Sequence, residues 1–275
     1  DARLAELSDP YDPAEQRAIP RCRQGQTSGC LLFDASYYRG RYYLYWGPAP
    51  AVLFLPLKAA GVDTVSDAGF ALIGAILLFA STAATLVLAW QRFFRALPTW
   101  LLFPPLLLAG AAYPIPWVLD GPRIYEAALL FGAAFLMAGL AAAFPILSGG
   151  PAHPRRMLVV GILWGLAFAT RAVLLFPIAA FTLALAWRVW RRPDHSTLAS
   201  RGRGIAWLTV PLVAAGGLIA GYNFARLSSP FEFCWRYALG APPRPAGGTL
   251  AALPPGKQPV QSHPLTPAPA PAIPH

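Results

Sequence analysis

The residues able to do chemistry are few, and they stand at the ends of long apolar runs. Only 12% of the 275 residues are charged and 56% are hydrophobic, against about 25% charge in soluble domains. Carboxylates stand at Asp34, Asp120, Glu126 and Glu232, and arginines at Arg123, Arg171, Arg226 and Arg236. Tyr37, Tyr38, Tyr42, Tyr43, Tyr45 and Trp46 crowd the stretch after Asp34. A carboxylate can take a proton from a hydroxyl. An arginine fork can hold a phosphate or diphosphate and stabilise it as it leaves. Aromatic rings stack on sugar faces, or sit as a belt at the level of lipid headgroups. Metal chemistry is not indicated. The four histidines show no ligand spacing, His153 and His195 stand alone beside Pro and Arg, and no two of Cys22, Cys30 and Cys234 form a C-x-x-C pair. Cys22 and Cys30 are spaced to close a small disulfide in an oxidising compartment.

Each of these residues has a structural reading beside the chemical one. Asp34 is either an active-site base or a helix N-cap or turn residue, Asp-Ala-Ser being good capping chemistry. Glu126, three residues after Arg123, is either an acid-base group or half of a surface ion pair. Asp120 is either a third acid-base candidate or the end of a helix before Gly121-Pro122. Arg171 is the only charge in 30 residues, Leu158 to Trp187. It binds a phosphate or caps carbonyls at a turn. Arg226 and Glu232, on either side of Ser228-Ser229-Pro230, are donor-site groups or a pair that locks a loop, and Tyr222 and Asn223 close a helix end. Tyr43, Tyr45 and Trp46 are sugar-facing or interfacial.

The elements that must position these groups are membrane helices. Mean hydropathy is +0.47. Gly69 to Trp90, Thr99 to Leu119, and Ala127 to Leu147 run 22, 21 and 21 residues without a charge, and Ile205 to Tyr222 runs 18. About 20 apolar residues cross a hydrocarbon core of about 30 Å. Pro104, Pro105, Pro114 and Pro116 predict a kinked or frayed second span. As one helix, the 30-residue run would hold Arg171 near the bilayer centre, at about 2.5–3.5 kcal/mol on insertion scales. Split into 158–169 and 172–187, it puts Arg171 at a turn on one face. The distribution of arginine selects the split. With residues 1–46 as an outer loop, the inner loops hold nine arginines: Arg92, Arg95, Arg155, Arg156, Arg188, Arg191, Arg192, Arg201 and Arg203. The short outer loops then hold Arg123 and Arg171.

The expected architecture is therefore an all-α, polytopic integral membrane helical bundle. Residues 1–46 form an outer loop and 47–240 a membrane domain. The spans fall near 69–90, 99–119, 127–147, 158–169, 172–187 and 205–222. Residues 47–61 are apolar but too short to span, and read as an interfacial or re-entrant segment, the alternative being an extension of the next helix. Residues 241–275 contain 11 prolines and read as a Pro/Ala-rich disordered tail. The start at Asp1 reads as a fragment or a processed product. The formal charge of +10 orients the chain in a bilayer, and nucleic acid is not an expected partner. No carboxylate lies inside a run, which sets the pattern apart from a secondary transporter.

Four stretches resemble one family. DASYYRGRYYLYWGPAPAVLFLP, from Asp34, is similar to a D-x-S-x-Y-x-G-x-Y-Y-x-Y-x-G-P-x-P-A segment of bacterial polytopic membrane proteins. GPRIYEAALLFGAAFL, from Gly121, resembles their next outer loop and helix. GLAFATRAVLL, from Gly165, resembles their short-helix pair with a basic residue at the turn. GYNFARLSSPFEFCWRYAL, from Gly221, resembles their Y-N-x-x-R-F-G-S-P-F-E-F block and is the most specific of the four. The chain thus resembles, over about residues 1–240, the C-superfamily of glycosyltransferases (GT-C), which includes protein mannosyltransferases and the aminoarabinose transferases.

The resemblance implies a polytopic helical enzyme of the bacterial inner membrane, with its active site on the periplasmic side. It implies transfer of a sugar from a polyprenyl-phosphate donor to a periplasmic glycan, lipid or protein acceptor, by a carboxylate base and with inversion. Asp34, Glu126 and Asp120 are the acid-base candidates, and Arg171, Arg226 and Arg123 the phosphate candidates. Tyr43, Tyr45 and Trp46 are the aromatic ones. No cofactor is expected, and a divalent metal is not indicated. The family has a membrane helix before its first outer loop, with its usual catalytic acid soon after that helix, and further helices after the Phe-Glu-Phe block. The first helix and its acid are expected upstream of Asp1, and the Pro/Ala-rich tail stands where the family continues with helices. The alternatives are a membrane transporter or lipid flippase, and a non-catalytic remnant of the family.

Overall fold

The computed structural model describes residues 35–38, 41–44, 46–62, 66–111, 114–120, 124–191 and 198–233. The chain divides into two units, with the break in sequence after Tyr45 and again before Cys234.

In the first unit the described element is an antiparallel hairpin, β1 (Ala35–Tyr38) and β2 (Arg41–Leu44). Tyr38 pairs with Arg41 and Ser36 with Tyr43. The two aromatic-rich strands are joined across Arg39-Gly40, the two-residue spacing typical of tight hairpins. The expectation of an outer loop over residues 1–46 did not include this hairpin.

The second unit is a helical bundle. Two short helices come first, α1 (Ala49–Leu53) and α2 (Leu55–Ala59). They are separate from α3 (Asp67–Phe93), whose N-cap Ser66 accepts from the Gly69 amide at 3.1 Å. Segment 47–61 is therefore not an extension of that helix. The run from Thr99 is broken into a 3-10 turn (Thr99–Leu102), α4 (Phe103–Ala111) and α5 (Ile115–Asp120). The four prolines explain the break: each lacks an N–H and crowds the carbonyl four residues earlier. Then follow α6 (Ile124–Leu147), α7 (Pro154–Thr170), a 3-10 turn (Ala172–Leu174), α8 (Leu175–Trp190) and α9 (Leu198–Leu227).

Four of these stretches are long and apolar enough to cross a membrane: Ala68–Phe93, Glu126–Leu147, Ala172–Trp190 and Gly202–Leu227. The chain is a multi-pass membrane protein. The α6 stretch is the centre of the bundle, half buried inside it, whereas the other three are only 17–22% buried. Their apolar surface is left for lipid.

Packing fixes the directions. Thr85 of α3 reaches the Met137 carbonyl of α6, and Arg92 Nε donates to the Ser148 carbonyl at 3.2 Å, so α3 and α6 run parallel. Gly110 lies against Phe79, and Ile115 and Val118 join Ala71, Ala75 and Ala127 in one cluster. The broken run 99–120 thus climbs back along α3. α7 is antiparallel to α6: the indole of Trp164 donates to the Leu136 carbonyl at 3.3 Å and fills the space left by the missing side chain of Gly139. Trp164 is fully buried and stacks on Phe181 of α8. α9 runs parallel to α7, with Gly161 against the Leu208 carbonyl and Gly165 against Ala215.

One end of the bundle therefore holds the starts of α3 and α6 and the ends of α5, α7 and α9. The other holds the end of α3, the turn at Ser148–Gly149, the start of α7 and the end of α8. Among the described residues every Asp and Glu belongs to the first end: Asp67, Asp120, Glu126 and Glu232. Arg92, Arg155, Arg156, Arg188, Arg191 and Arg203 belong to the second.

Candidate functional site

The first end is the candidate site, and Arg171 is its pivot. The apolar run 158–187 is two helices, the split that the distribution of arginine selects. α7 ends at Thr170, Arg171 has an extended backbone (φ −146°, ψ 116°), and α8 starts after a 3-10 turn. Pro177 helps to fix the break. In a continuous helix it would lack a bond to residue 173 and crowd that carbonyl, whereas in the first turn of α8 its missing N–H has no helical partner to lose. The 17 residues of α7 rise roughly 26 Å at 1.5 Å per residue. That is just short of the thickness of a hydrocarbon core, so Arg171 is set nearly one such thickness from the start of α7. It is half-buried.

The carbonyls of this helix end have partners. The Gly47 amide donates to the Thr170 carbonyl at 3.0 Å, and the Arg171 amide to the Ala167 carbonyl at 3.0 Å. The Thr170 hydroxyl donates to the Leu166 carbonyl at 2.8 Å. Segment 46–60 is thereby stitched to α7. It is also pinned across α3 and α6 by Phe54, whose ring lies 4.6 Å from Phe70 and 6.0 Å from Phe131. The approach at Gly47 is so close that a β-carbon there would overlap the Ala169 carbonyl.

Glu126 is in the first turn of α6 and only 5% exposed. It is not a surface residue, so an exposed ion pair does not describe it. Its Oε2 is buried with no hydrogen-bond partner among the described residues. A carboxylate in a first turn gains from the helix dipole, but a buried oxygen without a partner is costly. Gly132 faces Thr170 and Leu174, which sets the depth of Arg171 against α6. Glu126 lies six residues, roughly 9 Å, beyond that level toward the end of the bundle. The third contribution comes from α9. Asn223 is 4% exposed, with Nδ2 buried and no hydrogen-bond partner among the described residues. It does more than close a solvated helix end. Arg226 lies over the Tyr222 ring, 4.6 Å from its centroid. The helix ends at Ser228, which has φ +57°, and half-buried Glu232 follows.

Below Arg171 an apolar groove of about 390 Å³ runs between α7, α8 and α9. Phe168, Leu175, Ile178, Ala179, Thr182 and Leu212 line it. Phe168 and Leu175 flank Arg171 by three and four residues. The Thr182 hydroxyl is buried with no hydrogen-bond partner among the described residues.

The remaining expected residues fall elsewhere. Asp120 is the exposed last residue of α5, which fits its helix-ending reading. Tyr43 is half-buried on β2, in the first unit, and Trp46 is half-buried at the start of the second. Asp34, Tyr45, Arg123, Cys22, Cys30 and the tail 241–275 lie outside the described residues. The residues that follow Asp34 form a strand rather than a helix. Sequence reasoning missed Gly47 and the burial of Asn223. The signal for Gly47 was its place in Trp-Gly-Pro, since a glycine before proline marks a turn or a close backbone approach. Among the described residues no three His, Cys, Asp or Glu side chains come together to hold a metal. Comparison with protein-family models, curated proteins and solved structures finds no match.

Proposed function

We propose that this chain is a membrane glycosyltransferase of the C-superfamily type. It transfers a sugar from a polyprenyl-phosphate donor to a periplasmic or lipid acceptor across the outer face of the bacterial inner membrane. The observation that carries this reading is the gathering of Glu126, Arg171, Asn223, Arg226 and Glu232 at one end of the bundle. Chemically, Arg171 holds the donor phosphate at the membrane boundary. The groove below it takes the isoprenoid chain, and Glu126 takes the proton of the acceptor hydroxyl. A second observation supports the resemblance. The Y-N-x-x-R-F-G-S-P-F-E-F pattern has glycine where this chain has Ser228, and Ser228 adopts the left-handed backbone that favours glycine.

A lipid transporter is the weaker reading. Ser81, Thr85 and Thr209, within the spans, donate to carbonyls of their own helices. Among the described residues Thr182 alone of the span hydroxyls faces the apolar groove without a partner, which is too little to line a polar path. The arginine-rich end faces the cytoplasm by the positive-inside rule. The test is transfer of labelled sugar from polyprenyl phosphate to lipid or glycan acceptors in membranes carrying the full chain. Label in an acceptor fraction, lost in Glu126→Gln, supports the enzyme. Equal labelling in membranes without the chain contradicts it.

A further inference from the structure

The opposite end of the bundle carries a second cluster, and no part of the proposed reaction uses it. Two helices that are not sequence neighbours send arginines to one turn. Arg92, in the last turn of α3, donates from Nε to the Ser148 carbonyl. Arg188, in the last turn of α8, has Nη2 3.4 Å from where a β-carbon of Gly149 would stand. The turn itself is fixed. Gly149 has φ +114°, and the Gly150 amide donates to the Pro145 carbonyl at 2.7 Å. Arg155 and Arg156 follow within seven residues, in the first turn of α7, which has no acidic residue and no side-chain cap.

That arrangement is electrostatically unbalanced. A helix N-terminus carries positive partial charge and favours anions, yet this one holds two arginines with two more converging on the preceding turn. Among the described residues no Asp or Glu stands at this end. Orientation alone requires arginines on this side, but not their convergence on one turn. The depth is marked by aromatic rings. Trp187 and Phe93 are 60% and 64% exposed, Trp90 packs on Phe94, and Arg191 lies 4.1 Å over Trp187. An exposed Trp at a helix end fits headgroup level.

We propose that the Ser148–Gly150 turn, with Arg92, Arg188, Arg155 and Arg156, binds the phosphate headgroup of an anionic phospholipid. Arginine forks match phosphate oxygens in pairs, and basic pockets between helix ends on the cytoplasmic side suit such headgroups. The site is independent of the proposed glycosyl transfer.

The experiment is native mass spectrometry of the full chain in micelles, titrated with dioleoyl phosphatidylglycerol or dioleoyl phosphatidylcholine. The wild type is expected to retain phosphatidylglycerol and release phosphatidylcholine. Arg92→Gln/Arg188→Gln is expected to weaken phosphatidylglycerol binding by about thirtyfold, from about fivefold per arginine. Arg95→Gln/Arg203→Gln removes the same charge outside the cluster and is expected to change binding by less than about threefold. Arg92→Lys/Arg188→Lys keeps the charge and serves if the glutamine pair does not fold; its binding is expected between the two. Equal weakening by both glutamine pairs, or by neither, would overturn the site. So would displacement of the lipid by millimolar inorganic phosphate, which would make the turn a free-phosphate site.

Discussion

At the residue scale, two groups separate binding from chemistry. If Arg171 holds the phosphate, Arg171→Ala loses donor binding while the protein still inserts. If Glu126 is the base, Glu126→Gln keeps donor binding and slows transfer by about 10²–10⁴-fold. A purely structural Glu126 predicts loss of both, since the site would loosen as a whole. Ser228 offers a test in the other direction. Its left-handed backbone (φ +57°) costs a non-glycine residue about 1–2 kcal/mol. Ser228→Gly removes that strain, less the entropy glycine adds to the unfolded chain. The expected outcome is a raised Tm in detergent by circular dichroism; an unchanged or lower Tm would show that the strain is relieved locally.

At the element scale, close backbone approach decides where the site stands. Gly47 lets segment 46–60 reach the end of α7, and Gly161 lets α7 and α9 meet at the Leu208 carbonyl. Gly47→Ala is expected to displace the segment and Gly161→Val to part the helices. Each should cost about 1–3 kcal/mol of stability, and only Gly47→Ala should also lower the hydrogen-exchange protection of residues 46–60, read by mass spectrometry. The apolar runs made the spans legible, because about 20 residues without charge have few other uses. The break at Arg171 was legible from the cost of a charge at mid-membrane, and Pro177 adds a second signal. The hairpin was not read, because Arg39-Gly40 sits in a stretch whose aromatics suggested a belt. The burial of Glu126 and Asn223 was not readable, because both stand at helix ends, where sequence pattern predicts exposure.

At the scale of the whole molecule, the described acids all stand at one end of a lipid-facing bundle. The acids share one end with Arg171 and Arg226, and a purely basic set marks the other. Single cysteines at positions 60 and 228 are therefore expected to react with an impermeant maleimide from one side of sealed vesicles. Those at 95 and 203 should react from the other, with Cys22, Cys30 and Cys234 replaced by Ser throughout. Labelling of 95 and 228 from the same side would contradict the topology. In the proposed reaction the Arg171 end receives a lipid-linked sugar. Binding of a labelled polyprenyl-phosphate sugar to the full chain in proteoliposomes tests it most directly. The expected result is saturable binding by the wild type, weakened at least about tenfold in Arg171→Ala with insertion unchanged. Equal binding by the two proteins, or none by the wild type, would contradict it.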